Sequence, residues 1–108
     1  MEVLTRENAQ VGMGITLHGW SDSTPYTIIR ISGQRIYIQE DKATRLTDPK
    51  FIPGGFSAYC TNNYEIKYDI TPDPEGFQTC LYPKKNGTYY HHKKPITIGR
   101  NYFYDYNF

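Results

Sequence analysis

The stretch TIIRISGQRIYIQ, residues 27–39, holds two alternating, isoleucine-rich runs on either side of Ser32-Gly33-Gln34. Side chains alternate between the two faces of a strand, and a short glycine-containing connection between two such runs closes a hairpin. Ile29, Ile31, Ile36 and Ile38 are therefore expected to share the buried face, which leaves Tyr37 and Gln39 pointing outward. This hairpin anchors the reading of everything around it.

Upstream, GITLH at residues 14–18 alternates in the same way, and SDSTP at residues 21–25 carries turn chemistry before the β-branched run resumes. Downstream, YEIKYDI (64–70) and GFQTCLY (76–82) are joined by TPDPEG and are expected to pair with each other. Asn86-Gly87 is a strong short-range turn signal leading into TYYHH, and ITIGR supplies a last strand. Between them TDPKFIPGGF (47–56) reads as a Pro/Gly-rich connection folded over one end of the sheet. Helical periodicity is confined to RENA, which Thr5 could cap. Successive short antiparallel strands without crossover helices predict a mainly β fold, either a small SH3-like barrel or a curled sheet with hairpin extensions.

At 108 residues the chain has room for one core, so 1–108 is read as a single domain ending in the aromatic tail NYFYDYNF, 101–108. Eleven tyrosines and five phenylalanines exclude a disordered chain, and no apolar run reaches membrane-spanning length. The N-terminal stretch lacks a basic segment followed by an apolar one, so a cytoplasmic protein is expected. Cys60 and Cys80 have no metal-ligand spacing and read as free thiols. The aromatic tail holds too many large apolar bodies to leave in water, so it should dock on its own domain or on a neighbouring copy, making a homo-oligomer, a dimer or higher.

The formal charge of +1 argues against a protein that coats long nucleic acids. Its distribution is uneven. Between Glu75 and Asp105 there is no acid, whereas Lys84, Lys85, Lys93, Lys94, Arg100, His91 and His92 all fall in that interval and make an anion-attracting surface.

Catalytic patterns are absent: there is no GxSxG, HExxH, P-loop or paired CxxC, and the adjacent His91 and His92 would point to opposite faces of a strand. Binding without catalysis or cofactor is the expected class. The loop QEDKATRL (39–46) supplies Lys42 and Arg45, a point charge and a planar two-donor fork suited to phosphate. The same loop is also readable as a solvated stretch in which Glu40 and Asp41 pair with those bases. Trp20, Tyr37, Tyr64, Tyr68 and Phe77 could stack on a planar base, with Arg45 or Arg100 on phosphate, or could serve as core and end-caps. Asp22 beside Trp20 and the outward Gln39 complete the candidate ligand-binding set.

The combination VGMG-x-T (11–16), SDSTPYTI (21–28), RIYIQEDKATR (35–45), the PDPEG loop, KKNG and IGRNYFYDYNF resembles a family of small phage and prophage proteins, the anti-Thoeris sponges. Such proteins bind cyclic-ADP-ribose isomers made by bacterial TIR-domain enzymes and hold the signal uncleaved in pockets made by assembled subunits. The resemblance implies a phage anti-defence protein whose partner is a small nucleotide-derived signal, with Arg45 and Arg100 on its phosphates. The other reading of the residues is an SH3-like protein-interaction module, a virion accessory or an inhibitor of a host protein, presenting Trp20, the SDSTP loop and the outward tyrosines.

Overall fold

A computed structural model of the protein describes residues 2–52 and 59–105. Its strands are β1 (Gly14–His18), β2 (Ser23–Ser32), β3 (Arg35–Glu40), β4 (Lys42–Arg45), β5 (Phe51–Ile52) and β6 (Tyr59–Cys60). After a 3-10 turn at Asn63–Glu65 follow β7 (Tyr68–Thr71), β8 (Gln78–Leu81), β9 (Tyr90–His91), β10 (Lys94–Pro95) and β11 (Thr97–Ile98). Five of them form one antiparallel sheet in the order β11-β1-β2-β3-β8; β4-β7, β5-β6 and β9-β10 make two-stranded pieces. Of the two expected forms the open sheet with hairpins is the one observed, since β11 and β8 end the sheet and no barrel closes among the described residues. No helix among those residues is long and apolar enough to cross a membrane.

The central hairpin forms as expected, with Gly33 at φ +60° in the first position of the turn between Ser32 and Arg35, where a Cβ would be strained. Its buried face differs by one residue. A bulge between Ile28 and Arg30 shifts the register, so that Ile28 faces Ile38, Ile31 faces Ile36, and Ile29 is the extra residue. Ile28, Ile36 and Ile38 are fully buried and Ile31 packs at the core's margin, whereas Ile29 is only half-buried. The bulge also places Arg30 opposite Tyr37 on the outer face.

The second expected hairpin is not one. β8 pairs with β3 and β7 pairs with β4, so residues 68–81 run beside 36–45 in a single direction, and 72–77 bulge outward. Pro72 and Pro74 have no amide hydrogen to give a ladder. The Gln39 side-chain amide instead donates to the carbonyls of Pro74 and Gly76 at 3.0 and 3.1 Å, and the Glu40 amide donates to Phe77 at 2.8 Å.

One face of the sheet, carrying Ile15, Leu17, Ile28, Ile36, Ile38 and Leu81, is covered by Leu4, Ala9, Tyr89 and Ile96. Backbone bonds tie the cover together: Leu4 donates to Ile96, Tyr89 to Leu4 and Ile96 to Tyr89. Thr5 and Asn8 cap one another reciprocally, but this gives one turn and no α-helix among the described residues. The tail docks at the start of β2 and against the 3-10 turn and β7. Phe103 exchanges two backbone bonds with Ser23 and stacks on Tyr64, and Tyr102 meets Tyr68 edge-on at 4.4 Å. Residues 101–105 thus dock on their own domain, while 106–108 and residues 53–56 of the Pro/Gly-rich connection lie outside the described residues.

Candidate functional site: a basic, aromatic cleft

Three turns converge on one side of the molecule. The first, at residues 84–87, closes through Gly87 donating to the Lys84 carbonyl and Lys84 to that of Thr88, with Gly87 at φ +81°. The Asn86 side chain accepts the Thr88 amide at 3.0 Å, which fixes Lys84 and Lys85 on the outside of the turn. In the second, His92 takes φ +58° between β9 and β10. That left-handed conformation folds its ring onto His91, with centroids 4.2 Å apart, instead of the opposite-face arrangement expected of neighbours on a strand. The third is the Gly19–Asp22 turn, in which Gly19 donates to the Asp22 carbonyl. Lys94 Nζ donates to the carbonyls of Gly19 (2.8 Å) and Trp20 (3.2 Å), so a cation from the second turn holds the backbone beneath the indole.

Between these turns lie two hollows that share His92 and Lys93. One, about 530 Å³, is lined by His18, Gly19, Trp20, His92, Lys93 and Lys94; the other, about 620 Å³, by Lys84, Lys85, Asn86, Tyr90, His92 and Lys93. Neither lining contains an acid. The indole of Trp20 is 85% exposed, an unusual position for the one tryptophan of the chain unless something flat covers it. Four lysines with a tryptophan, a tyrosine and the imidazoles offer charge for phosphates and flat faces for a base.

Of the three histidines, His18 bridges Ser23 Oγ (3.0 Å, through Nδ1) and Thr97 Oγ1 (2.8 Å, through Nε2). Burial and then the charge of Lys94 lower its pKa; burial and then His92 lower that of His91. The folded protein therefore binds fewer protons at these rings than the unfolded chain does below the ordinary histidine value of about 6.5. Stability contributed by His18 and His91 is present above that value and is lost as pH falls from it toward their lowered pKa values. Urea melts between pH 7.5 and 5 should show this loss, and His18→Gln should reduce it; an unchanged slope would show that the ring does not titrate across folding.

The candidate residues from the sequence fall in four places. Trp20 is in the cleft, and Asp22 supports its turn while accepting the Asp105 amide at 2.8 Å. Gln39 is occupied by the 72–77 bulge, with exposed Phe77 at its end. Lys42 and Arg45 stand an odd number of residues apart on β4 and so face opposite sides of the β4-β7 ribbon. Arg45 pairs across the ladder with Tyr68 and lies 3.6 Å from Asp48. Arg100 crosses Gly14, where a Cβ would collide with its side chain, and reaches Asp41 (3.0 Å) and Thr27 (3.0 Å). It is held by a buried carboxylate. His92, Lys93, Lys84, Lys85 and Tyr90 were not in the expected ligand set, although the acid-free interval that contains them was its visible sign.

No protein-family model, no curated protein and no solved structure matches the chain.

Proposed function

We propose that the protein binds a small, anionic, nucleotide-derived signal and holds it without cleaving it, acting as a phage anti-defence sponge in the cytoplasm of the infected cell. A cyclic-ADP-ribose isomer is the first ligand on this reading, and a cyclic oligonucleotide the second. The observation that carries it is the exposed Trp20, braced from below by Lys94, at the mouth of a cleft lined by lysines and histidines and free of acids. An indole face and several cations within one cleft match a base joined to phosphates. The family resemblance adds the signal's identity and the expectation that copies of the chain assemble.

Calorimetric titration with cyclic-ADP-ribose isomers and cyclic di- and trinucleotides tests the reading, and mass spectrometry of the ligand released by heating the complex should show it intact. No heat with any of them would sink the proposal, and a cleaved ligand would replace it with an enzyme. Trp20→Ala should weaken binding about tenfold, since a base–aromatic stack is worth about 1–3 kcal/mol, with thermal stability unchanged at so exposed a position. Light scattering of the full chain, with and without residues 101–108, reads assembly separately: a single-chain mass would remove the oligomer from the proposal while leaving the cleft.

A further inference from the structure

The two ends of the five-stranded sheet are finished differently. Along β11 lies the N-terminal segment: Val3 bridges Thr97, and Ile98 donates to the Glu2 carbonyl at 2.9 Å. Along β8 lies no described segment other than β3. The Glu40 amide donates to Phe77, so the bonded pairs recur at Ile38 with Thr79 and at Ile36 with Leu81, and the amides and carbonyls of Gln78 and Cys80 point away from β3. Exposed edges are ordinarily blunted by lysine, proline or an inward charge, and residues 77–82, FQTCLY, hold none of these. Phe77 is 64% exposed and, by the alternation of the strand, shares the inner face with Leu81 of the core. Exposed Glu75 stands before this uncharged edge, and exposed Lys84 and Lys85 stand after it.

We infer that the β8 edge pairs with the β8 edge of a second copy of the chain, antiparallel and about a two-fold axis, joining the two sheets into one continuous sheet. The register that uses both outward residues sets Gln78 opposite Cys80 of the second copy, with Thr79 on the axis, and each such pair exchanges both backbone hydrogen bonds. Phe77 then lies opposite Leu81 of the second copy on the inner face, where its ring leaves water and extends the core across the boundary. Antiparallel pairing also sends the acidic end of each edge toward the basic end of the other, Glu75 toward Lys84, and sets no like charges side by side at the centre. The edge is thus complementary to itself in backbone, side chain and charge. Such an assembly is distinct from one made by the tail, whose residues 101–105 dock on their own domain, and it stands whether or not the cleft takes a nucleotide.

Sedimentation equilibrium of the full chain should give twice the 12.6 kDa of one copy, with a mass that falls on dilution. Gln78→Pro removes an amide that faces away from β3, so it spares the ladder within the chain and deletes one bond in each half of the interface. It should raise the dimer dissociation constant about tenfold. Phe77→Ala, at an exposed position, should weaken the dimer as well, and circular dichroism spectra like the parent's show that both variants fold. Glu75→Lys should weaken it, and adding Lys84→Glu should restore it. A short thiol-to-thiol cross-linker reads the register: the two copies of Cys80 share the outer face at diagonal positions, with Cβ atoms about 7–8 Å apart, while Cys60 is buried. A covalent dimer that Cys80→Ala abolishes is the expected result. A single-copy mass at every concentration, or a dimer that does not cross-link through Cys80, overturns the inference. A dimer that survives Gln78→Pro and Phe77→Ala but is lost on removing residues 101–108 overturns it too, and gives the interface to the tail.

Discussion

Arg100→Ala is expected to lower the unfolding free energy by about 3 kcal/mol, a large share of what a small domain has. The Asp41 carboxylate is fully buried and is satisfied by Arg100 Nε at 3.0 Å and by the Thr27 hydroxyl. Removing the guanidinium leaves a charge in the interior with one neutral donor, and the cost of breaking such a pair is about 3–5 kcal/mol. The lower end applies because the arginine side chain is 30% exposed and water can reach the vacated space. Asp41→Asn keeps a hydrogen-bonding group and removes the buried charge, so its cost should be about 1–2 kcal/mol. Chemical denaturation of the two variants beside Arg45→Ala makes the comparison decisive. Arg45 pairs with an almost fully exposed Asp48, and that pair is worth less than about 1 kcal/mol. Equal stability of Arg100→Ala and the parent would return Arg100 to the candidate ligands. The expected loss marks it as the clamp joining the last strand to the β3-β4 junction, whatever it also touches.

Tyr89→Ala should cost more, about 3–5 kcal/mol, and is the substitution most apt to abolish folding at physiological temperature. Tyr89 is the largest fully buried side chain, and its backbone joins the two segments, at Leu4 and Ile96, that cover the inner face of the sheet. Truncation empties the centre of the core. Its hydroxyl donates to the Gln34 carbonyl at the tip of the central hairpin. Tyr89→Phe therefore loses one hydrogen bond and little packing, at about 1 kcal/mol. The difference between the two variants reads the worth of the ring itself. Comparable losses from both would show that the bond to the hairpin tip, and not the filled core, holds the cover in place.

Local chemistry was enough to specify much of the framework. Period-two alternation in RIYIQ placed Ile36 and Ile38 inward and Tyr37 outward, because residues two apart on a strand share a face whatever the strand pairs with. Gly33 and Asn86-Gly87 marked their turns because a left-handed backbone costs glycine almost nothing. The acid-free interval from Glu75 to Asp105 announced an anion-attracting surface, since charge composition is visible without coordinates. Tertiary structure alone decided the rest. The bulge at Ile29 reversed the facing of β2 upstream of the bulge, and a bulge depends on which strand lies alongside. β7 and β8 chose β4 and β3 over each other, since ladder partners come from contacts distant in sequence and Pro72 and Pro74 deny the local alternative its donors. Asp41 and Arg100 are separated by 59 positions and Trp20 and Lys94 by 74, so neither pair leaves a local pattern. Such pairs meet only after the sheet has formed, because the distance between two side chains is set by strand order and turn geometry and not by spacing along the chain.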